Sequence, residues 1–212
     1  MANVDKPFGY RPIGTLSGSP WQASVRAFQL DATHTLIGVG DLVNMTSDGY
    51  VNRYAAGGTQ VIGVMVGVLP IGLGWNATSG MIGDNFLSAT EPTLTGASHN
   101  SVALNTAGSI LVTTAPDLIM VVQEDGDTTP LTLADIGLNI ETTDTAVDST
   151  TGMSKQELDS SSAATTNTLP LRLLALHPEP GNELASVDTT KPWTKWQGTF
   201  ANHSFKGLNV GV

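Results

Sequence analysis

Three residue types with hydrolytic potential lie close together in the C-terminal half: Ser154, Asp159 and His177. A serine becomes a nucleophile when a histidine takes its proton and a carboxylate orients that histidine, and such trios assemble in space from any chain order. The local context does not support one. GMSKQELD places Gly152 before Ser154 but no glycine after it, so there is no GxSxG elbow. A second candidate is QEDGDTTP. Counted from Asp125, a calcium loop needs an oxygen ligand at its fifth position and glycine at its sixth, where this chain has Thr129 and Pro130. The acidic run reads as a solvated hairpin tip. The four histidines, His34, His99, His177 and His203, form no HxH or HExxH pair, and the chain has no cysteine. Phosphate-binding loops and GxGxxG are absent. The expectation is therefore no catalytic residue, no metal and no cofactor.

Composition narrows the class further. The chain has 212 residues with a formal net charge of -10, which repels nucleic acid and anionic membranes. The few basic residues are scattered, with no patch suited to DNA or RNA. No window is apolar for long enough to predict a transmembrane helix. MANVDKPFGYRP lacks the basic and apolar regions of a signal peptide, so a soluble protein made in a cytoplasm is expected. Charged residues make up only 13%, so polar surface must come from Thr, Ser, Asn and Gly, which suits strands and turns better than exposed helices.

The elements follow from periodicity. SVRAFQL, DLVNMT, YVNRYA, TQVIGVMVGVLP, NFLSATEP, SVALNTAGSILVTTAP and DLIMVVQ read as short strands with turn signals every 8 to 12 residues or so. Asp48-Gly49 predicts a hairpin. In TQVIGVMVGVLP, strict alternation puts Ile62, Val64, Val66 and Val68 on one face and Val61, Met65 and Leu69 on the other. Gly63 and Gly67 signal a bend or a closely approaching backbone, as in a small barrel. LTLADIGLNI is the one partly helical stretch, with Thr132 as its N-cap. LPLRLLAL predicts a strand with Leu169, Leu171 and Leu173 on one face. Trp193, Trp196, Phe200 and Phe205 near the end predict a terminus tied into a sheet or an interface.

The first 24 residues contain Pro7, Pro12 and Pro20, which exclude a helix or a central strand. They also carry Phe8, Tyr10, Ile13, Leu16 and Trp21, more apolar anchors than a disordered tail holds. Two readings stand: an arm that lays its anchors on another surface, or an irregular strand packed on its own domain.

TTGMSKQELDSSSAATTNTLPLRLLAL, residues 150–176, reads at first as a Ser/Thr linker joined to a leucine strand. Residues 177–212 offer too few strands for an independent core, so the segment is expected to be an ordered connection, with Leu158 pinned to the core and Asp159 capping a turn. The expected organisation is an all-β fold, a small β-barrel or jelly-roll-like sandwich with little helix. Residues 1–24 form an extended N-terminal arm. Residues 25–212 form a single β-rich domain: a barrel-like core over 25–125, and a C-terminal β extension over 126–212 packed on it.

The order MANVDKPFGYRPIGTLSGSPW, VIGVMVGV, DLIMVVQED, GLNI, TTGMSKQELDSSSAATT, LPLRLLALHPEPGNE and FANHSF resembles capsid decoration, or cement, proteins of tailed bacteriophages. The resemblance covers most of the chain. It implies an all-β virion protein without enzymatic activity, bound to the outer surface of a head built from a major capsid protein of HK97-type fold. It also implies self-association, as a trimer in preference to a dimer. Pro7, Phe8, Gly9, Tyr10, Arg11 and Pro12 are the implied capsid-contact motif, with Trp21 beside them and Asn202-His203 as a weaker candidate. Extended arms touching several subunits would gain by effective concentration. The competing expectation is a virion surface module that stacks host glycan on Trp75, Trp193 or Trp196. A cell-wall hydrolase is the third, with Asp159 as its test residue.

Overall fold

The computed structural model describes residues 3–31, 33–58, 60–69, 75–76, 81–82, 101–102, 108–148, 150–184 and 193–206. The elements in chain order are β1 (Arg11–Thr15), a 3-10 turn (Trp21–Ser24), β2 (Val25–Gln29), β3 (Ile37–Gly38), β4 (Leu42–Met45), β5 (Val51–Arg53), β6 (Gly63–Leu69), β7 (Trp75–Asn76), β8 (Met81–Ile82) and β9 (Ser101–Val102). They continue with β10 (Ser109–Thr113), β11 (Leu118–Gln123), a second 3-10 turn (Leu133–Asp135), β12 (Asn139–Thr142), β13 (Leu158–Ala164), β14 (Leu171–Leu176) and β15 (Lys195–Phe200). The strand expected in NFLSATEP (85–92) and His99 lie outside the described residues.

Two antiparallel sheets pack as a sandwich. The larger runs β1-β11-β15-β14-β12-β13 and the smaller β2-β10-β6-β4-β5. The larger sheet draws β1 from the arm and β11 from before residue 125, and joins them to strands that follow it. The alternation of DLIMVVQ sends Leu118, Met120 and Val122 inward, where they meet Leu171, Leu173, Trp196 and Phe200. From the smaller sheet, Leu42 and Val64 complete that core. A second core of Leu30, Ile37, Val43, Val51, Ile62, Met65, Ile110 and Val112 covers the other face of the smaller sheet. That sheet curls on itself: Leu30 bridges Val51, and the Asp31 N–H donates to the Val51 carbonyl at 2.9 Å, joining the ends of its two edge strands. Burial on both faces explains why TQVIGVMVGVLP is almost uniformly apolar.

The simple alternation expected for that strand fails in two places. Ile62 and Val64 face different cores, and Met65 and Val68 face the same one. Gly63 and a bulge between the Met65 and Gly67 pairings each shift the phase. The Asp48-Gly49 hairpin forms between β4 and β5, with Gly49 at φ +80°. LTLADIGLNI yields one 3-10 turn followed by β12. Thr132 caps the turn, accepting from Ala134 N–H, while Asp135 accepts from Thr132 N–H at 2.8 Å.

Residues 150–176 are an ordered part of the sandwich. Met153 bridges Val39, Leu158 is 1% exposed in the main core, and β13 pairs with β12. Asp159 accepts from the Ser161 N–H and hydroxyl at 3.1 and 2.7 Å, closing the expected turn. Trp196 and Phe200 are fully buried, while Phe205 is exposed.

Candidate functional site

The structure does not assemble the serine trio. Ser154 is fully buried, and its hydroxyl donates to Asp41 at 2.6 Å. Asp159 is engaged by Ser161, and the His177 ring meets the Gln197 amide at 3.4 Å. Asp41 also accepts from the Gly38 N–H at 2.8 Å and lies 3.2 Å from Arg53. Burial raises the Asp41 pKa against the pull of Arg53 and Ser154. Beside it, Gln156 accepts from Leu42 N–H and donates to the Tyr54 carbonyl. This polar seam joins the two sheets and has a structural role.

Asp125, Asp127 and Asp159 do come together, with carboxylate oxygens within 4.8 Å of one another. In the sequence they stand apart, two at a hairpin tip and one as a turn cap. They offer hard oxygen ligands of the kind calcium takes. The geometry engages them in hydrogen bonds: the Ser160 hydroxyl lies 2.7 Å from Asp125 and 2.9 Å from Asp127, and Thr129 N–H donates to Asp127 at 2.6 Å. The result knits the acidic turn to β13.

The opposite face of the larger sheet carries a groove of about 950 Å³. Arg11 and Ile13 of β1, Val121 and Gln123 of β11 and Lys195 of β15 reach it, because alternation turns them away from the core. His177, Glu179, Asn182, Met153 and Lys155 also line it. The arm crosses this face. Gln123 donates to the Val4 carbonyl at 2.9 Å and accepts from Lys6 N–H at 3.3 Å. Asn3 donates to the Glu183 carbonyl and accepts from its N–H.

The arm residues divide by depth. Tyr10 is 1% exposed, its N–H donating to the Gly40 carbonyl at 2.8 Å and its hydroxyl to the Glu157 carbonyl at 3.3 Å. Gly9 is buried at φ +70°, where a Cβ would fall 2.4 Å from that of Ser154. Both are interior anchors and offer nothing to an outside surface. Pro7, Phe8 and Pro12 are partly buried, and Arg11 is exposed. The Arg11 guanidinium lies over the Phe8 ring, 4.9 Å from its centre. Trp21 sits in its 3-10 turn, partly buried against the core. Ile13 keeps 44% exposure and Leu16 60%.

Of the tryptophans considered for sugar stacking, Trp193 lines the groove, Trp196 is fully buried and the Trp75 side chain lies outside the described residues. Asn202-His203 is also interior at the histidine: His203 is fully buried, Phe205 N–H donates to its Nδ1, and Nε2 pairs with the Ile62 carbonyl. Burial pulls its pKa down to about 4. The groove had no sequence signal, because its walls come from five distant segments. No helix among the described residues is long and apolar enough to cross a membrane.

No family model, curated protein or solved structure matches the chain.

Proposed function

We propose that the chain is a structural binding protein of a tailed-bacteriophage virion, a decoration protein that fastens to the outer surface of the head and stabilises the major capsid protein lattice. The observation that carries this reading is the form of the arm. Buried Gly9 and Tyr10 bolt PFGYRP to its own sandwich, while Phe8, Arg11 and Ile13 stand at the rim of a groove on the outer sheet face. A rigid β-sandwich that presents a shaped, partly apolar face suits a protein whose work is to hold others together. The acidic remainder of the chain favours the exterior of a head over contact with packaged DNA. The motif order described above supplies the identity of the partner.

The test adds purified protein to heads that lack it and follows co-sedimentation and head survival on heating. Wild type binds and raises the temperature at which heads rupture, and Phe8→Ser/Arg11→Glu binds weakly while keeping its own melting temperature. Heads that neither bind wild type nor gain stability overturn the reading.

A further inference from the structure

The groove differs in charge from the rest of the chain. Its lining holds four basic residues, Lys6, Arg11, Lys155 and Lys195, against three acids, Asp5, Asp148 and Glu179. The whole chain has 9 basic and 19 acidic residues, so the remainder holds five against sixteen. Two groove cations are already matched: Lys195 meets Glu179 at 2.6 Å and Lys155 meets Asp148 at 3.3 Å. Lys6 and Arg11 are exposed and have no ion-pair partner among the described residues. The Arg11 guanidinium lies over the Phe8 ring and is near enough to Glu179 to help lower its pKa, behind Lys195, without forming an ion pair with it. Exposed Ile13 supplies an apolar spot two residues along the same strand.

From this charge segregation, and resting on the groove as the binding face proposed above, we infer that the groove takes an extended acidic segment of a partner protein. Its carboxylates pair with Lys6 and Arg11, and an intervening apolar side chain lies on Ile13. The chain's own residues 3–8 already lie along this face through side-chain-to-backbone hydrogen bonds from Gln123 and Asn3. The remainder of the chain, with five basic residues against sixteen acidic ones, disfavours an acidic partner, so the groove also biases where it lands.

The probe is a fluorescein-labelled peptide of alternating glutamate and alanine, titrated with the intact chain at low ionic strength and followed by anisotropy. The expected result is saturable binding that weakens with salt and falls at least about tenfold in Lys6→Glu/Arg11→Glu, while Arg26→Glu, away from the groove, leaves it unchanged. A lysine–alanine peptide, drawn to the acidic remainder of the surface, should lose no binding in that double variant. On the unaltered chain, carbodiimide coupling of bound peptide carboxylates should map to Lys6. Absence of binding, equal binding by the double variant, coupling confined to Lys206, or binding of a neutral oligosaccharide in place of the peptide would overturn the inference. Because heads are absent from this assay, its failure leaves head binding standing, and loss of head binding leaves a positive peptide result standing.

Discussion

The Ser154 hydroxyl and the Asp41 carboxylate, 113 residues apart in the chain, meet at 2.6 Å in the fully buried seam between the two sheets. The bond places a residue from the Ser/Thr-rich segment under the turn that opens β4. Gln156 N–H also donates to the Ser154 hydroxyl oxygen, at 3.1 Å. Ser154→Ala removes both and leaves a buried carboxylate oxygen unmet, which costs about 1–3 kcal/mol. Urea unfolding should show a lower midpoint with an unchanged slope. An unshifted midpoint would mean the seam contributes little.

Gly63 and Gly67 look alike in sequence but differ in what surrounds them. A Cβ on Gly63 would sit 2.0 Å from the Thr113 carbonyl oxygen, a backbone atom of the paired strand. On Gly67 it would meet only the Leu111 side chain, at 3.6 Å. Gly63→Ala is therefore expected to cost about 3 kcal/mol or more by forcing β6 and β10 apart. Gly67→Ala should fall within about 1 kcal/mol of wild type. Thermal unfolding of the two variants side by side decides the point, and equal effects would reject it.

These two glycines mark the limit of what the sequence carries. Local periodicity reveals strands, so DLIMVVQ, LPLRLLAL and the Asp48-Gly49 hairpin are legible. Leu158 is also legible as a core residue, because a lone leucine in a polar run has few other places to go. Which strands pair is a non-local matter. Nothing in Arg11–Thr15 announces β11 as its neighbour, and nothing places β15 between β11 and β14. The phase of β6 is lost where Gly63 and a bulge reset it. Phe8 and Tyr10 look equivalent as arm anchors. Only the assembled seam, with the Gly40 and Glu157 carbonyls waiting, draws Tyr10 inside and leaves Phe8 at the rim.

Glu157 gives the fold a pH dependence of unusual sign for a carboxylate. Burial, then the charges of Asp5 and Asp125, push its pKa up to about 8, and its Oε1 is buried without a hydrogen-bond partner. The unfolded chain releases this proton near the ordinary glutamate value of about 4.3, whereas the folded chain keeps it to a higher pH. The unfolded state thus binds fewer protons in that window, and Glu157 lowers stability progressively as pH rises from about 4.5 towards 8. Glu157→Gln abolishes the titration and keeps the shape. Its stability relative to wild type should improve between pH 5 and pH 8, by about 1 kcal/mol once solvent screening at its open edge is allowed for. Denaturant melts at the two pH values check the trend, and a relative stability that stays flat or declines with pH would contradict it.

Gln123 is the residue that holds the arm to the sheet. It is 1% exposed, and both ends of its amide are engaged, one by the Val4 carbonyl and one by the Lys6 N–H. Among the described residues no backbone ladder pairs residues 3–8 with the sheet, so these two bonds and those of Asn3 with Glu183 and Thr194 carry the attachment. Gln123→Leu keeps the side chain's bulk and removes both bonds. Each is worth about 1 kcal/mol, enough to shift a locally closed segment towards open by roughly fivefold per bond. Native-state hydrogen exchange should then show the Lys6 amide losing protection, while the Tyr10 amide, held by the Gly40 carbonyl and the buried ring, keeps its own. Loss of protection at both would mean that the arm and its Tyr10 anchor open as one unit. Retention at both would show that packing of Pro7 and Phe8, and not Gln123, fastens the arm.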